Sequence, residues 1–148
     1  MYNKELISPC GLYCGVCGIH KAGVDKDEPL KEKLAKLYGV DSPAKIECAG
    51  CRSEEPFFFC RVCAIKSCAE EKNFEGCQQC ESFPCEKIQG FPYPEAKGNM
   101  LRAVPRWREL GTEAWVKEEE ERFRCKSCGT DSFRGARKCR QCGTVFAF

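Results

Sequence analysis

Thiolate chemistry dominates this chain. Fifteen of its 148 residues are cysteine and one, His20, is histidine. Eight of the cysteines lie between Cys48 and Cys85, at spacings C-x2-C-x8-C-x2-C-x4-C-x8-C-x2-C-x4-C. Cys60, Cys63 and Cys68 return 17 residues later as Cys77, Cys80 and Cys85, so that CRVCAIKSC is echoed by CQQCESFPC. No apolar frame repeats with them, which points to ligands rather than a hydrophobic core as the source of the geometry. Upstream, Cys10, Cys14 and Cys17 sit in PCGLYCGVCGIH, each followed by a glycine that lets backbone N–H groups turn toward sulfur.

At the other end, Cys125-x2-Cys128-Gly129 and Cys139-x2-Cys142-Gly143 form a second pattern. Two C-x2-C-G knuckles are the signature of a zinc ribbon, in which Cys125, Cys128, Cys139 and Cys142 grip one tetrahedral ion. A 26-residue piece, 123–148, buries too little to hold itself together. A structural zinc supplies about 10–16 kcal/mol of apparent binding free energy instead.

Eleven cysteines remain, and with His20 they make twelve donors, enough for three more four-coordinate sites. Three or four Zn2+ ions are therefore expected in all. The count also closes if Cys10, Cys14 and Cys17 hold an iron–sulfur cluster with one open iron, leaving eight cysteines for two zinc sites. Their C-x3-C-x2-C spacing is that of radical S-adenosylmethionine enzymes, but the chain lacks the length and the alternating strands and helices of their barrel. The ferredoxin run C-x2-C-x2-C-x3-C-P fails in register, because the third gap here is x4 and the proline precedes Cys85. Cys14-Gly15-Val16-Cys17 lacks the βαβ surroundings of a thioredoxin-type pair. Iron–sulfur or thiol redox chemistry at the Cys10–Cys17 loop stands as the alternative to zinc. Disulfides are disfavoured by the odd cysteine count and by a start, MYNKELISPCGLYCG, with no secretory apolar region.

The elements that must position these thiols are short. Asp27 predicts the N-cap of a helix with Pro29 in its first turn, Leu30, Leu34, Leu37 and Tyr38 on one apolar face, and Gly39 as its stop. Lys31, Lys33 and Lys36 lie off that face and are expected in solvent. Ala64 to Lys72 reads as a short helix carrying Cys68, and Cys85 opens another behind Pro84. Phe91-Pro92-Tyr93-Pro94 reads as a stiff linker. Beyond it a helix is predicted over Asn99 to Leu110, and a second from Thr112 through the Glu118–Glu121 block. Met100, Leu101, Val104, Trp107, Leu110, Trp115 and Val116 are the predicted packing residues.

Net charge is only +2, which excludes a polycation built for nucleic acid. The charge is uneven: residues 1–122 are net acidic, whereas 123–148 carry six Lys and Arg against one Asp. Nucleic-acid contact would therefore fall to Arg124, Lys126, Arg134, Arg137, Lys138 and Arg140. No apolar run is long enough to span a membrane, so no membrane partner is expected, and reduced thiols suit the cytoplasm.

CGLYCGVCGI, then IxCxGCRS from Ile46 to Ser53, CxxCxIKxCAEEK from Cys60 to Lys72, and CxxCxxFPCEKI from Cys77 to Ile88 together resemble a prokaryotic family of small cysteine-rich proteins of unknown function, taken to bind zinc. The resemblance spans roughly residues 8 to 90. It implies metal ligation by Cys10, Cys14, Cys17, Cys48, Cys51, Cys60, Cys63, Cys68, Cys77, Cys80 and Cys85. It implies no reaction, and it weakens His20 as a ligand, since tyrosine is at home at that place.

The resulting expectation is a small, metal-stabilised, α-rich α+β protein: a cysteine-rich multi-zinc lobe over 1–90, a helical connector over 91–122 and a C-terminal β zinc ribbon over 123–148. No catalytic residue is assigned, because closed four-coordinate sites leave no position for a substrate. The expected role is a zinc-binding interaction or regulatory module with structural metal sites and an unidentified protein partner. Within Cys48–Cys85 each repeated triple is one ligand short, and the missing ligands are expected from the Cys10–Cys17 loop.

Overall fold

The computed structural model describes residues 1–147. Its first two helices obey local signals. α1 (Gly18–Val24) begins directly after Cys17. α2 (Glu28–Tyr38) is capped by the Asp27 carboxylate, which accepts the Leu30 N–H at 3.1 Å, and it ends at Gly39 with φ +69°. Leu34 and Ala35 of α2 join Ile19 and Ala22 of α1, Ile46 and Phe57 in one buried cluster. Because this stripe centres on Leu34 and Ala35, Leu37 is left 72 % exposed. Lys31, expected in solvent, is buried instead. Its ammonium lies between Glu28 at 3.7 Å and Glu47 at 3.9 Å, so the charge keeps partners as the stem packs.

α3 (Phe58–Arg61), α4 (Ala64–Glu71) and α5 (Glu86–Gln89) span the middle of the chain. Cysteines occupy their boundaries: Cys63 is the N-cap of α4, Cys85 that of α5, and Cys17 that of α1. Thiols are thereby presented where the chain turns into a helix. Ile65 of α4, Ile88 of α5 and Met100 form a second buried cluster with Cys10.

α6 (Pro94–Leu110) and α7 (Thr112–Arg122) fold back on each other through Gly111, whose φ of +80° suits glycine. α6 starts earlier than Asn99 because Pro94, with its preset φ, serves as a first helical residue. Gly111 rather than Thr112 is the N-cap of α7, and the Thr112 hydroxyl instead accepts the Trp107 indole N–H at 2.8 Å. Trp107 and Trp115, both fully buried, stack with centroids 4.4 Å apart and planes 11° from parallel. Tyr13 meets Trp115 edge-on at 6.0 Å, and Ile7, Val16, Ala103, Val116 and Phe123 complete the cluster. The α6–α7 pair therefore packs directly on the N-terminal cysteine loop.

One ion pair joins these two helices with its carboxylate buried and its guanidinium partly exposed. Glu119, 1 % exposed, accepts two bonds from the Arg102 guanidinium, at 2.6 and 3.0 Å. Arg102→Ala strands that carboxylate and is expected to cost about 3–5 kcal/mol, whereas Glu119→Gln, which keeps an acceptor, costs less. Urea unfolding of the two variants checks the order.

The α+β expectation, with its β zinc ribbon, is overturned. Seven α-helices and no β-strand occur among the described residues. Among its described residues, the segment from Phe123 onward contains only two isolated antiparallel bridges, Arg124 with Asp131 and Lys138 with Val145. α7 runs to Arg122 and only residues 132–137 separate the two bridges, so neither hairpin has arms for a ladder of usual strand length.

Candidate metal centre

Cys125, Cys128, Cys139 and Cys142 converge so that their sulfurs all lie within 4.8 Å of one another. They are the only such group of three or more His, Cys, Asp or Glu ligand atoms among the described residues. The two halves are built alike. The Cys125 N–H donates to the Thr130 carbonyl at 2.9 Å and the Cys139 N–H to the Thr144 carbonyl at 2.8 Å. The Gly129 and Gly143 N–H groups each return to the first cysteine of their knuckle at 2.9 Å, and both glycines have φ +78°. A left-handed residue is needed there to double the chain back under the sulfurs, hence glycine.

Cys125 lies 3.6 Å from Cys142, and Cys128 the same distance from Cys139. Those separations are close to the roughly 3.8 Å edge of a tetrahedron with metal–sulfur bonds of about 2.3 Å. The inner thiols Cys125 and Cys139 are buried, the outer pair exposed. The Thr144 hydroxyl draws the Cys142 thiol down to about 6. Cys139 is also lowered, first by the N–H of Cys142 and then by that of Gln141. This quartet can hold a metal ion, and with four donors from the protein it leaves no open position.

Two contributors escaped the sequence reading. Thr130 and Thr144 place their hydroxyls 3.1 Å from the outer sulfurs Cys128 and Cys142. The signal was present as C-x2-C-G-T repeated 14 residues apart. Once the sulfurs are thiolates, these hydroxyls donate to them. Thr130→Val with Thr144→Val is expected to weaken metal binding about tenfold, the usual cost of removing an outer-shell partner, and a competitive chelator titration measures it.

The segment carrying the quartet is tied to the rest of the protein. Arg134 donates from its backbone to the Val16 carbonyl at 2.8 Å and from its guanidinium to the Tyr13 carbonyl at 3.1 Å. Arg140 pairs with Asp25 and, at 3.1 Å, with Asp27. Arg124 pairs with Glu121 and Asp131, and Lys126 with Glu121. Four of the six basic side chains named for nucleic-acid contact thus already have partners within the chain.

The eleven N-terminal cysteines are all free thiols, gathered but not collapsed into a quartet. Cys14 has Cys17, Cys48 and Cys51 as thiol neighbours, and its sulfur accepts the Cys51 N–H at 3.3 Å. The Cys48 sulfur accepts the Phe57 N–H, also at 3.3 Å. Cys51 and Cys60 share a hydrogen bond that holds the Cys51 thiol down to about 6 and raises Cys60, with Lys66 and Arg52 favouring the charge on Cys51. Cys10 lies 3.0 Å from the Ser8 hydroxyl and is pushed up to about 11 by burial, near Cys51 and Cys63. The sulfurs of Cys10, Cys14 and Cys17 do not all lie within 4.8 Å of one another. His20 sits with Nδ1 2.7 Å from the Cys48 carbonyl. A carbonyl only accepts, so Nδ1 carries a proton.

Fold and site define a helical protein with a four-cysteine centre able to hold a metal ion. Residues 6–90, more than half of the chain, match the family described as "Protein of unknown function (DUF3795)", and the protein belongs to that family. The quartet lies outside the matched region. No curated protein and no solved structure matches the chain. No helix among the described residues is long and apolar enough to cross a membrane.

Proposed function

We propose that this is a zinc-binding cytoplasmic protein whose metal sites are structural, acting as an interaction or regulatory module toward another protein. The observation that carries the reading is the Cys125–Cys128–Cys139–Cys142 quartet, with near-tetrahedral sulfur spacing and no open position. Zinc is the metal because four thiolates suit a soft ion without geometric preference of its own, and the site serves stability because its ligands come from two short loops with little core between them. The N-terminal thiols extend the same chemistry into the family region. Phe58 and Phe59, both partly exposed on the aromatic cluster of Phe57 and Tyr38, supply apolar surface for a protein partner. The internal pairing of Arg124, Lys126, Arg134 and Arg140 weighs against nucleic acid.

Metal analysis of protein purified without oxygen tests this. Zinc at three to four ions per chain, with no iron, is the expected result by the ligand count. A brown protein containing iron and acid-labile sulfide would replace the zinc reading by an iron–sulfur one.

A further inference from the structure

Away from the quartet, one cavity of about 80 Å3 opens between α4 and α5. Four cysteines line it: Cys68 from the middle of α4, Cys77 and Cys80 from the 3-10 turn Cys77–Gln79 and its C-cap, and Cys85 at the N-cap of α5. We propose that Cys68, Cys77, Cys80 and Cys85 form a second tetrathiolate site for a single soft divalent ion. This deepens the reading of the N-terminal thiols as zinc ligands, on which it rests, by assigning four of the eleven to one ion.

Three observations converge on that set. Cys77 counts Cys10 first among its thiol neighbours, followed by Cys85, Cys80 and Cys68. The Cys80 N–H closes on the Cys77 carbonyl at 3.1 Å, so the C-x2-C turn is already wound as a two-ligand knuckle. Apart from Ser82, Lys72 and Lys87 the remaining wall is apolar, with Ile65, Phe83 and Ile88, which leaves the thiols as the groups able to hold a cation. Four thiolates around a dication carry a net charge of −2, and two lysines meet it. Lys72 and Lys87 both line the cavity, and the Lys72 ammonium lies 4.0 Å from the Cys80 sulfur.

This grouping differs from the sequence repeat, which would keep Cys68 with Cys60 and Cys63. Cys63 is the N-cap of α4 and Cys68 lies within it. Five residues along a helix amount to about 7.5 Å of rise and about 140° of rotation, so the two sulfurs leave on different sides. No three of the four sulfurs lie within 4.8 Å of one another. Binding therefore draws them inward around the ion, with release of the thiol protons.

The test is zinc titration of the full chain, made metal-free without oxygen, with alkylation of unprotected thiols and peptide mass spectrometry at each step. The expected result is that Cys68, Cys77, Cys80 and Cys85 become protected together over one equivalent, separately from Cys125, Cys128, Cys139 and Cys142. Cys68→Ser and Cys85→Ser should each lose one ion per chain while the C-terminal four stay protected. Lys72→Gln should weaken this site about tenfold and leave the other unchanged. Protection of Cys68 with Cys60 and Cys63, or of Cys77 with Cys10 in its place, overturns the assignment while leaving N-terminal zinc standing. Full alkylation of all eleven at saturating zinc overturns both. Because the assay uses the wild-type chain, a variant that fails to fold does not decide it.

Discussion

Cys139→Ser is expected to release one zinc ion per chain and to unfold the segment from Phe123 onward while α1 to α7 persist. Cys139 is one of two buried ligands that bridge the knuckles: its sulfur lies 3.6 Å from Cys128 and accepts the Gln141 N–H at 3.4 Å, and its backbone pairs with Thr144. Without the ion the segment keeps two isolated bridges, the ion pairs of Arg124, Lys126 and Arg140, and the contacts of Arg134. The ion itself is worth about 10–16 kcal/mol in apparent terms, more than those contacts together supply. Brief trypsin digestion should therefore cut first at Arg124, Lys126, Arg137 and Lys138 in the variant and leave the zinc-loaded parent intact there. A variant equally resistant would show that the segment holds without metal. Acid should mimic the substitution. A protonated thiol cannot ligate, so zinc affinity falls as pH drops, and with Cys142 held at about 6 that ligand's share of the loss comes below pH 6.

Trp107→Ala is expected to destabilise the zinc-loaded protein by about 3–5 kcal/mol, the range for emptying a buried tryptophan site. Trp107 is fully buried, stacks on Trp115, and its ring lies against the backbone of Gly76. The cavity would therefore open between the α6–α7 pair and the loop that leads into the Cys77 knuckle. A sharper comparison uses phenylalanine. Trp107 donates to Thr112 at 2.8 Å, whereas the Trp115 N–H is buried with no acceptor among the described residues. Trp107→Phe thus loses a satisfied bond, while Trp115→Phe removes an unsatisfied donor, and the first should cost more. Thermal unfolding of the variants, loaded with the same zinc, orders them. Equal midpoints would mean that the indole hydrogen bond contributes nothing.

Much of the local structure was legible residue by residue. Asp27, Pro29 and Gly39 mark α2 because a side-chain cap, a preset φ and a left-handed stop act within a few residues of themselves. Met100, Val104, Trp107, Trp115 and Val116 were identified as packing residues because a helix shows its buried face as a period. Lys31 was misplaced because its burial depends on Glu47, which lies outside its helix. The expected β ribbon is absent among the described residues because the knuckle spacing specifies turns around sulfur, and turns alone do not make a ladder.

The four-cysteine centre was readable from spacing alone, since C-x2-C-G written twice specifies the ligands, their turns and their number within 18 residues. Chemistry of that kind is local, and the sequence determined it unaided. The arrangement of the other eleven thiols is not local. Cys14 meets Cys51 across 37 residues, and Cys68 turns away from Cys63 along α4 toward Cys77 and Cys85. Those neighbourhoods depend on how α4, α5 and the Cys10–Cys17 loop settle against Ile65, Ile88 and the stacked tryptophans. Repeated spacing sets which thiols are close along the chain. Only packing decided which are close in space.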